Sequence, residues 1–175
     1  MGSGGSTGRL RGELTEFVGR RAELALVREA LGVARLVTLT GPGGIGKTRL
    51  ALQAADHARR AFRDGVWLAG LGGLRDPALL VAEVARSLGL SDQSPHWAVA
   101  ALADYLAGRQ LLLVLDDAAS SDQVRPLLPG AGGCLVLVTS RRHLSALEDA
   151  RAISLDTLPP GEAAALLVRL AAGPG

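Results

Sequence analysis

Leu36-Val37-Thr38-Leu39-Thr40-Gly41-Pro42-Gly43-Gly44-Ile45-Gly46-Lys47-Thr48 decides the reading of this chain. A short strand of apolar and β-branched residues runs straight into a glycine-rich turn, and a helix follows from Lys47 to about Ala61. The turn fits Gly-x-x-x-x-Gly-Lys-[Ser/Thr] in the strand–loop–helix setting that gives the pattern its meaning. Its glycines let successive backbone N–H groups turn inward as an anion nest, and the helix N-terminus behind them adds positive dipole. Gly43, Gly44, Ile45, Gly46, Lys47, Thr48 and Arg49 are therefore the candidate phosphate contacts. Lys47 is suited to the β- and γ-phosphates of a nucleoside triphosphate, and the Thr48 hydroxyl to Mg2+. The alternative, a ligand-free turn between strand and helix, requires a chance match at every fixed position.

Around this stretch the chain has the composition of one α/β domain. Its 175 residues are 48% hydrophobic, enough for a single core. No run approaches the roughly 18 to 20 uncharged residues of a membrane span, so no membrane contact is expected. The N-terminus lacks the layout of a signal peptide. Cys134 is the only cysteine, which excludes a disulfide framework and a cysteine-based zinc site and fits a cytoplasmic, reducing location. A formal charge of +2 does not argue for nucleic acid, so any DNA contact falls to domains outside this chain. Of the 19 basic residues, all but Lys47 are arginine. The one lysine stands where a compact ammonium on a flexible stem suits phosphate.

Residues 1–8 read as a flexible leader, natural or left from cloning. Residues 9–34 form an N-terminal segment with a helix over about 20–33, and 35–156 the nucleotide-binding core. Residues 157–175 open a helical region whose Gly-Pro-Gly end reads as the truncation of something longer. Within the core a second strand is expected at Val66–Ala69, a helix from Pro77 to about Leu88 and another over 96–107. Further strands are expected at Leu111–Leu115, Leu135–Val138 and Ile153–Leu155, with a last helix from near Pro160. Strands alternating with helices predict a mainly parallel sheet covered on both faces. Continuous apolar runs agree with strands buried on both sides.

Asp116-Asp117 closes the apolar run Leu111–Leu115, which puts both carboxylates at the strand edge where open α/β sheets bind ligands. Asp116 is the candidate for holding Mg2+ through water, and Asp117 for orienting or activating an attacking water. Turn-forming aspartates at a strand end are the plainer alternative. Arg141, in Thr139-Ser140-Arg141, ends the next strand, where a fixed cation can tell triphosphate from diphosphate; a solvated surface arginine is its alternative. Phe17-Val18-Gly19-Arg20 offers an apolar pair, a glycine and a cation that suit an adenine, and equally a loop packed on the domain. His57, His96 and His143 have neither metal spacing nor a nucleophile partner, and Trp67 and Trp97 read as core.

Taken together, these motifs resemble the NB-ARC branch of the STAND signal-transduction ATPases. Phe17–Arg20, the glycine loop, Leu113-Val114-Leu115-Asp116-Asp117 and Val138-Thr139-Ser140-Arg141 match in order and spacing. Leu155-Asp156-Thr157-Leu158 followed by Glu162-Ala163 also matches, at the point where that family starts its next helix. The texture is most similar to the ATPase modules of actinobacterial SARP-type transcriptional regulators, which sit between a DNA-binding domain and a helical-repeat sensor. The resemblance covers residues 13 to about 170. It implies a P-loop NTPase three-layer sandwich with a five-stranded sheet, ordered 2-3-4-1-5 by position in the chain. It also implies that Val18, Gly19 and Arg20 hold adenine, and that the strand order brings Arg141 to the phosphates. The family's later Gly-Leu-Pro-Leu segment and winged-helix domain, which complete the pocket and lock ADP, are not in this sequence.

The expected function is an ATP/ADP switch with slow magnesium-dependent hydrolysis, catalysed by Lys47, Asp117 and Arg141, in a regulator whose full-length form can self-associate. A second expectation, from another class, is a nucleotide-binding interaction scaffold with negligible turnover. No Asn-Lys-x-Asp segment exists to read guanine, and no Leu-Ser-Gly-Gly-Gln segment points to a transporter. A small-molecule kinase would need an acceptor pocket and lid, for which the sequence offers no sign.

Overall fold

The computed structural model describes residues 8–9, 19–90, 97–130 and 132–172. Phe17, Val18 and His96 lie outside them. In chain order the elements are β1 (Gly8–Arg9), α1 (Arg21–Val33), β2 (Leu36–Thr40), α2 (Lys47–Ala58), β3 (Gly65–Gly70), α3 (Pro77–Ser87), α4 (Trp97–Leu106), β4 (Leu111–Ala118), α5 (Ser121–Val124), β5 (Leu135–Ser140), β6 (Arg151–Ser154) and α6 (Pro160–Ala172). The sheet runs β1-β3-β4-β5-β2-β6. Every pairing is parallel except that of β1 with β3. Without β1 this is the 2-3-4-1-5 order. The sixth strand is an addition: Gly8, read from sequence as leader, pairs with Leu68, and Arg9 with Trp67.

Both faces of the sheet are buried, and the alternation of side chains along each strand shows how. On β4, Leu111, Leu113 and Leu115 join a core with α3 and α4, while Leu112 and Val114 join a second core with α1 and α2. On β5, Val136 and Val138 go to the first core and Leu137 to the second. That is why these strands read as unbroken apolar runs. The result is the three-layer α/β sandwich of P-loop NTPases.

Local chemistry sets the boundaries. Asp76 caps α3, its Oδ1 accepting the Ala78 N–H at 2.9 Å, and Pro77 takes the first helical position. The helix expected to reach Ala61 ends at Ala58 and tightens into a 3₁₀ turn over Arg59–Ala61. The last strand begins at Arg151, two residues before the expected Ile153, and Leu155 continues the line by donating its N–H to the Thr40 carbonyl at 2.7 Å. Trp67 and Trp97 are partly buried against the first core, and His57 and His143 are exposed.

Candidate nucleotide site

The glycine loop leaves β2 at the carboxyl edge of the sheet and returns as α2. Gly46 caps that helix at φ 95°, a left-handed conformation that a side chain would strain. Lys47 is then the first helical residue, only 7% exposed. Its Nζ folds back over the loop and donates to the carbonyls of Gly41 at 2.8 Å and Pro42 at 2.7 Å. Burial, and then the positive charge of Arg141, pull the Lys47 pKa below its ordinary 10.5, against the raising influence of Asp117 and Asp116.

The two aspartates owe their placement to an irregularity in β4. Leu115 pairs with Val138 and Ala118 with Ser140, so β4 carries one residue more than β5 between these pairs. The extra residue makes a bulge, a device that re-aims side chains. Asp117 takes it up at φ 58°, in the left-handed region. Thr139 stabilises the bulge from β5: its Oγ1 accepts the Asp117 N–H at 2.9 Å and donates to Asp116 Oδ1 at 2.6 Å. The Thr48 hydroxyl donates to the same Asp116 Oδ1 at 2.6 Å. Asp116 and Thr48 thus form one oxygen cluster at the start of α2, and the bulge turns the Asp117 carboxylate toward Arg141. Asp117 Oδ1 and Arg141 Nε form an ion pair at 3.3 Å.

Strand order explains how Arg141 gets there. β5 lies between β4 and β2, with Thr40 in register with Ser140, so the residues after each strand emerge side by side. A Cβ on Gly43 would lie 3.8 Å from the Arg141 guanidinium. These groups line an open cleft of about 470 Å3 that includes Gly43, Gly44, Gly46, Lys47, Thr48 and Arg49 on the loop side, with Asp116, Asp117, Thr139 and Arg141 opposite. Leu68, Gly70 and Gly72, from β3 and the turn after it, complete the lining and had no sequence signal. Thr139 had one: it stands in the Val138–Arg141 motif, but a threonine in a strand reads first as a good strand former.

Gly19, Arg20 and Ile45 are outside that lining. Arg20 is only 3% exposed and its guanidinium is bound within the protein. It donates to Ile45 O at 3.0 Å, to Asp156 O at 2.8 Å and to Glu23 Oε1 at 2.9 Å. Its backbone N–H donates to Glu162 Oε2 at 2.8 Å. Among the described residues no group of three or more His, Cys, Asp or Glu side chains is arranged to hold a metal by itself.

The sequence model of the NB-ARC domain matches residues 20–171. The chain belongs to the NB-ARC family. Regulatory protein AfsR of Streptomyces coelicolor is 36% identical to this NB-ARC domain over 175 residues, covering 90% of the chain and 18% of AfsR. AfsR of Streptomyces griseus is 38% identical over 168 residues, covering 89% and 17%. The domain therefore spans less than a fifth of the length of these relatives. Among solved structures, the ORC1 protein of Aeropyrum pernix in complex with DNA has a TM-score of 0.66 at 16% identity, over 91% of this chain and 52% of that one. That likeness is one of fold. No described helix of this NB-ARC domain is long and apolar enough to cross a membrane.

Proposed function

We propose that this NB-ARC domain is the ATP/ADP-binding switch of a cytoplasmic transcriptional regulator and hydrolyses ATP slowly. The observation that carries the reading is the convergence of Lys47, the Thr48–Asp116 pair, Asp117 and Arg141 on one cleft. In this reading Lys47 releases the Gly41 and Pro42 carbonyls and reaches the β- and γ-phosphates, while the nest N–H groups hold their oxygens. Arg141 leaves Asp117 for the terminal phosphate. Asp117 is then free to take a proton from water as the water oxygen bonds to the γ-phosphorus and the β–γ bridge bond breaks toward ADP. Adenine is the base assigned, on the Phe17-Val18-Gly19-Arg20 segment and the lack of a guanine-reading segment. DNA contact and self-association fall to the full-length protein.

Mg2+ suits the oxygen donors here. The Thr48 hydroxyl and Asp116 carboxylate are hard ligands, already 2.6 Å apart, and with water and phosphate oxygens they make the partly hydrated site this ion prefers. Bound there, it would neutralise charge on the β- and γ-oxygens.

A nucleotide-binding scaffold with negligible turnover is the second reading, favoured by one feature: the ion pair to Arg141 occupies the proposed base. A single-turnover assay with radiolabelled ATP separates the two. Release of labelled phosphate above the buffer rate supports the switch, and bound ATP recovered intact supports the scaffold. Denaturing the purified protein and chromatographing what it releases tests the base, and copurified guanine nucleotide would overturn the adenine assignment.

A further inference from the structure

The guanidinium of Arg20 ends on the Ile45 carbonyl, inside the glycine loop itself. Ile45 C=O and Gly46 N–H belong to one rigid peptide plane and point in opposite directions. Holding the carbonyl away from the cleft therefore aims the Gly46 N–H into the anion nest. Arg20 is held in turn by α6, because Glu162 in the first turn of that helix accepts its backbone N–H. The fit is tight. Arg20 sits at φ 55° and Gly19 at φ 80°, and a Cβ on Gly19 would lie 2.8 Å from Glu162 Oε2. Asp156 O, just after the last strand, takes the remaining reach of the guanidinium.

We propose that Glu162 and Arg20 are positioning residues for the phosphate nest, so that affinity for polyphosphate depends on how the first turn of α6 is docked. The inference rests on the phosphate-binding reading of the loop. It separates from the adenine role that the family resemblance gives Arg20, because a residue acting through the Ile45–Gly46 peptide serves any polyphosphate, with or without a base. It also gives Glu162 a part in the site although that residue lies outside the cleft lining.

Inorganic tripolyphosphate, which has no base, is the probe, titrated beside ATP by displacement of a fluorescent ATP analogue. Arg20→Lys keeps the charge but loses the planar spread that spans Ile45, Asp156 and Glu23, and should weaken both ligands by about tenfold. Glu162→Ala should weaken both by about three- to tenfold, and Glu162→Gln, whose amide oxygen still accepts the Arg20 N–H, should restore parent affinity. Weakening of ATP alone would return Arg20 to base recognition and overturn the relay. Amide exchange of the ligand-free loop gives a second measurement: Glu162→Ala should speed exchange at Gly44–Lys47, and unchanged exchange there overturns the relay even where ATP binds. A parent protein that binds no ATP would instead sink the proposed function.

Discussion

Asp117 holds a backbone conformation that few residues other than glycine, asparagine and aspartate adopt readily. Asp117→Asn is therefore a clean probe, keeping shape and backbone preference while losing the proton acceptor. It should leave ATP–magnesium affinity near the parent and slow single-turnover hydrolysis by about 10²- to 10⁴-fold, and parent-like turnover would remove Asp117 as the base. Arg141→Ala tests the partner. In the proposed switch only ATP brings a terminal phosphate to the end of β5, so ATP affinity should fall by about ten- to a hundredfold while ADP affinity stays within about twofold. Calorimetry of both nucleotides on both proteins gives the double difference, and equal losses would make Arg141 a general support of the pocket. Lys47 carries a pH signature. Its folded pKa lies below 10.5, so ATP affinity should start to fall with rising pH earlier than an ordinary lysine would allow. The linkage to folding has the opposite sign: between the folded value and 10.5 the unfolded chain holds the extra proton, so Lys47 makes the empty fold more stable as pH rises. Binding titrations across alkaline pH check the first effect, and a profile bending only at 10.5 or above would contradict it. Lys47, Thr48, Asp116, Asp117 and Arg141 were all legible because motif and strand end together fix their place. The bulge was not, because register is a property of two strands and sequence shows one at a time. Arg20 stood out only as part of the Phe17–Arg20 segment, and its burial under the loop was not legible.

At the scale of elements, β4 is the strand whose environment makes the sharpest claim. A half-exposed strand tolerates alanine at every second position, but Leu112 and Leu113 are each buried, in different cores. Leu112→Ala and Leu113→Ala should each destabilise the domain by about 2–5 kcal/mol. Urea unfolding followed by circular dichroism measures both, and a near-neutral result for either would mean that one face of the sheet is uncovered. The same two-sided burial made β2, β4 and β5 readable as apolar runs. Shorter elements escaped for physical reasons. β1 has two residues and α5 four, too few to show a period. β6 begins with Arg151-Ala152, both exposed on the sheet edge, so its first half carries no apolar signal. Only Ile153, and Leu155 just beyond the strand, turn toward the core and could be read.

For the molecule as a whole, alternation of strands and helices was enough for a parallel α/β sandwich, but the order of strands came from family resemblance. Local sequence does not encode which strands become neighbours. Here the strand that bears the glycine loop is flanked by the last two of the sheet, β5 and β6. Ending the chain after Asp149 removes β6 and bares one edge of β2, whereas ending it after Leu158 removes α6 and keeps the sheet. The first should lose cooperative thermal unfolding and the second should keep it, as calorimetry would report; equal melting of both would mean that β6 adds nothing to the fold. The same arrangement orders events during synthesis. β2 leaves the ribosome early but has no strand to pair with until Leu135–Ser140 and then Arg151–Ser154 are made. The glycine loop therefore stays without its scaffold through most of the synthesis of this domain, a delay typical of sheets with distant partners. A nascent chain has no nest to offer, and nucleotide arrives as a stabiliser only of the finished domain.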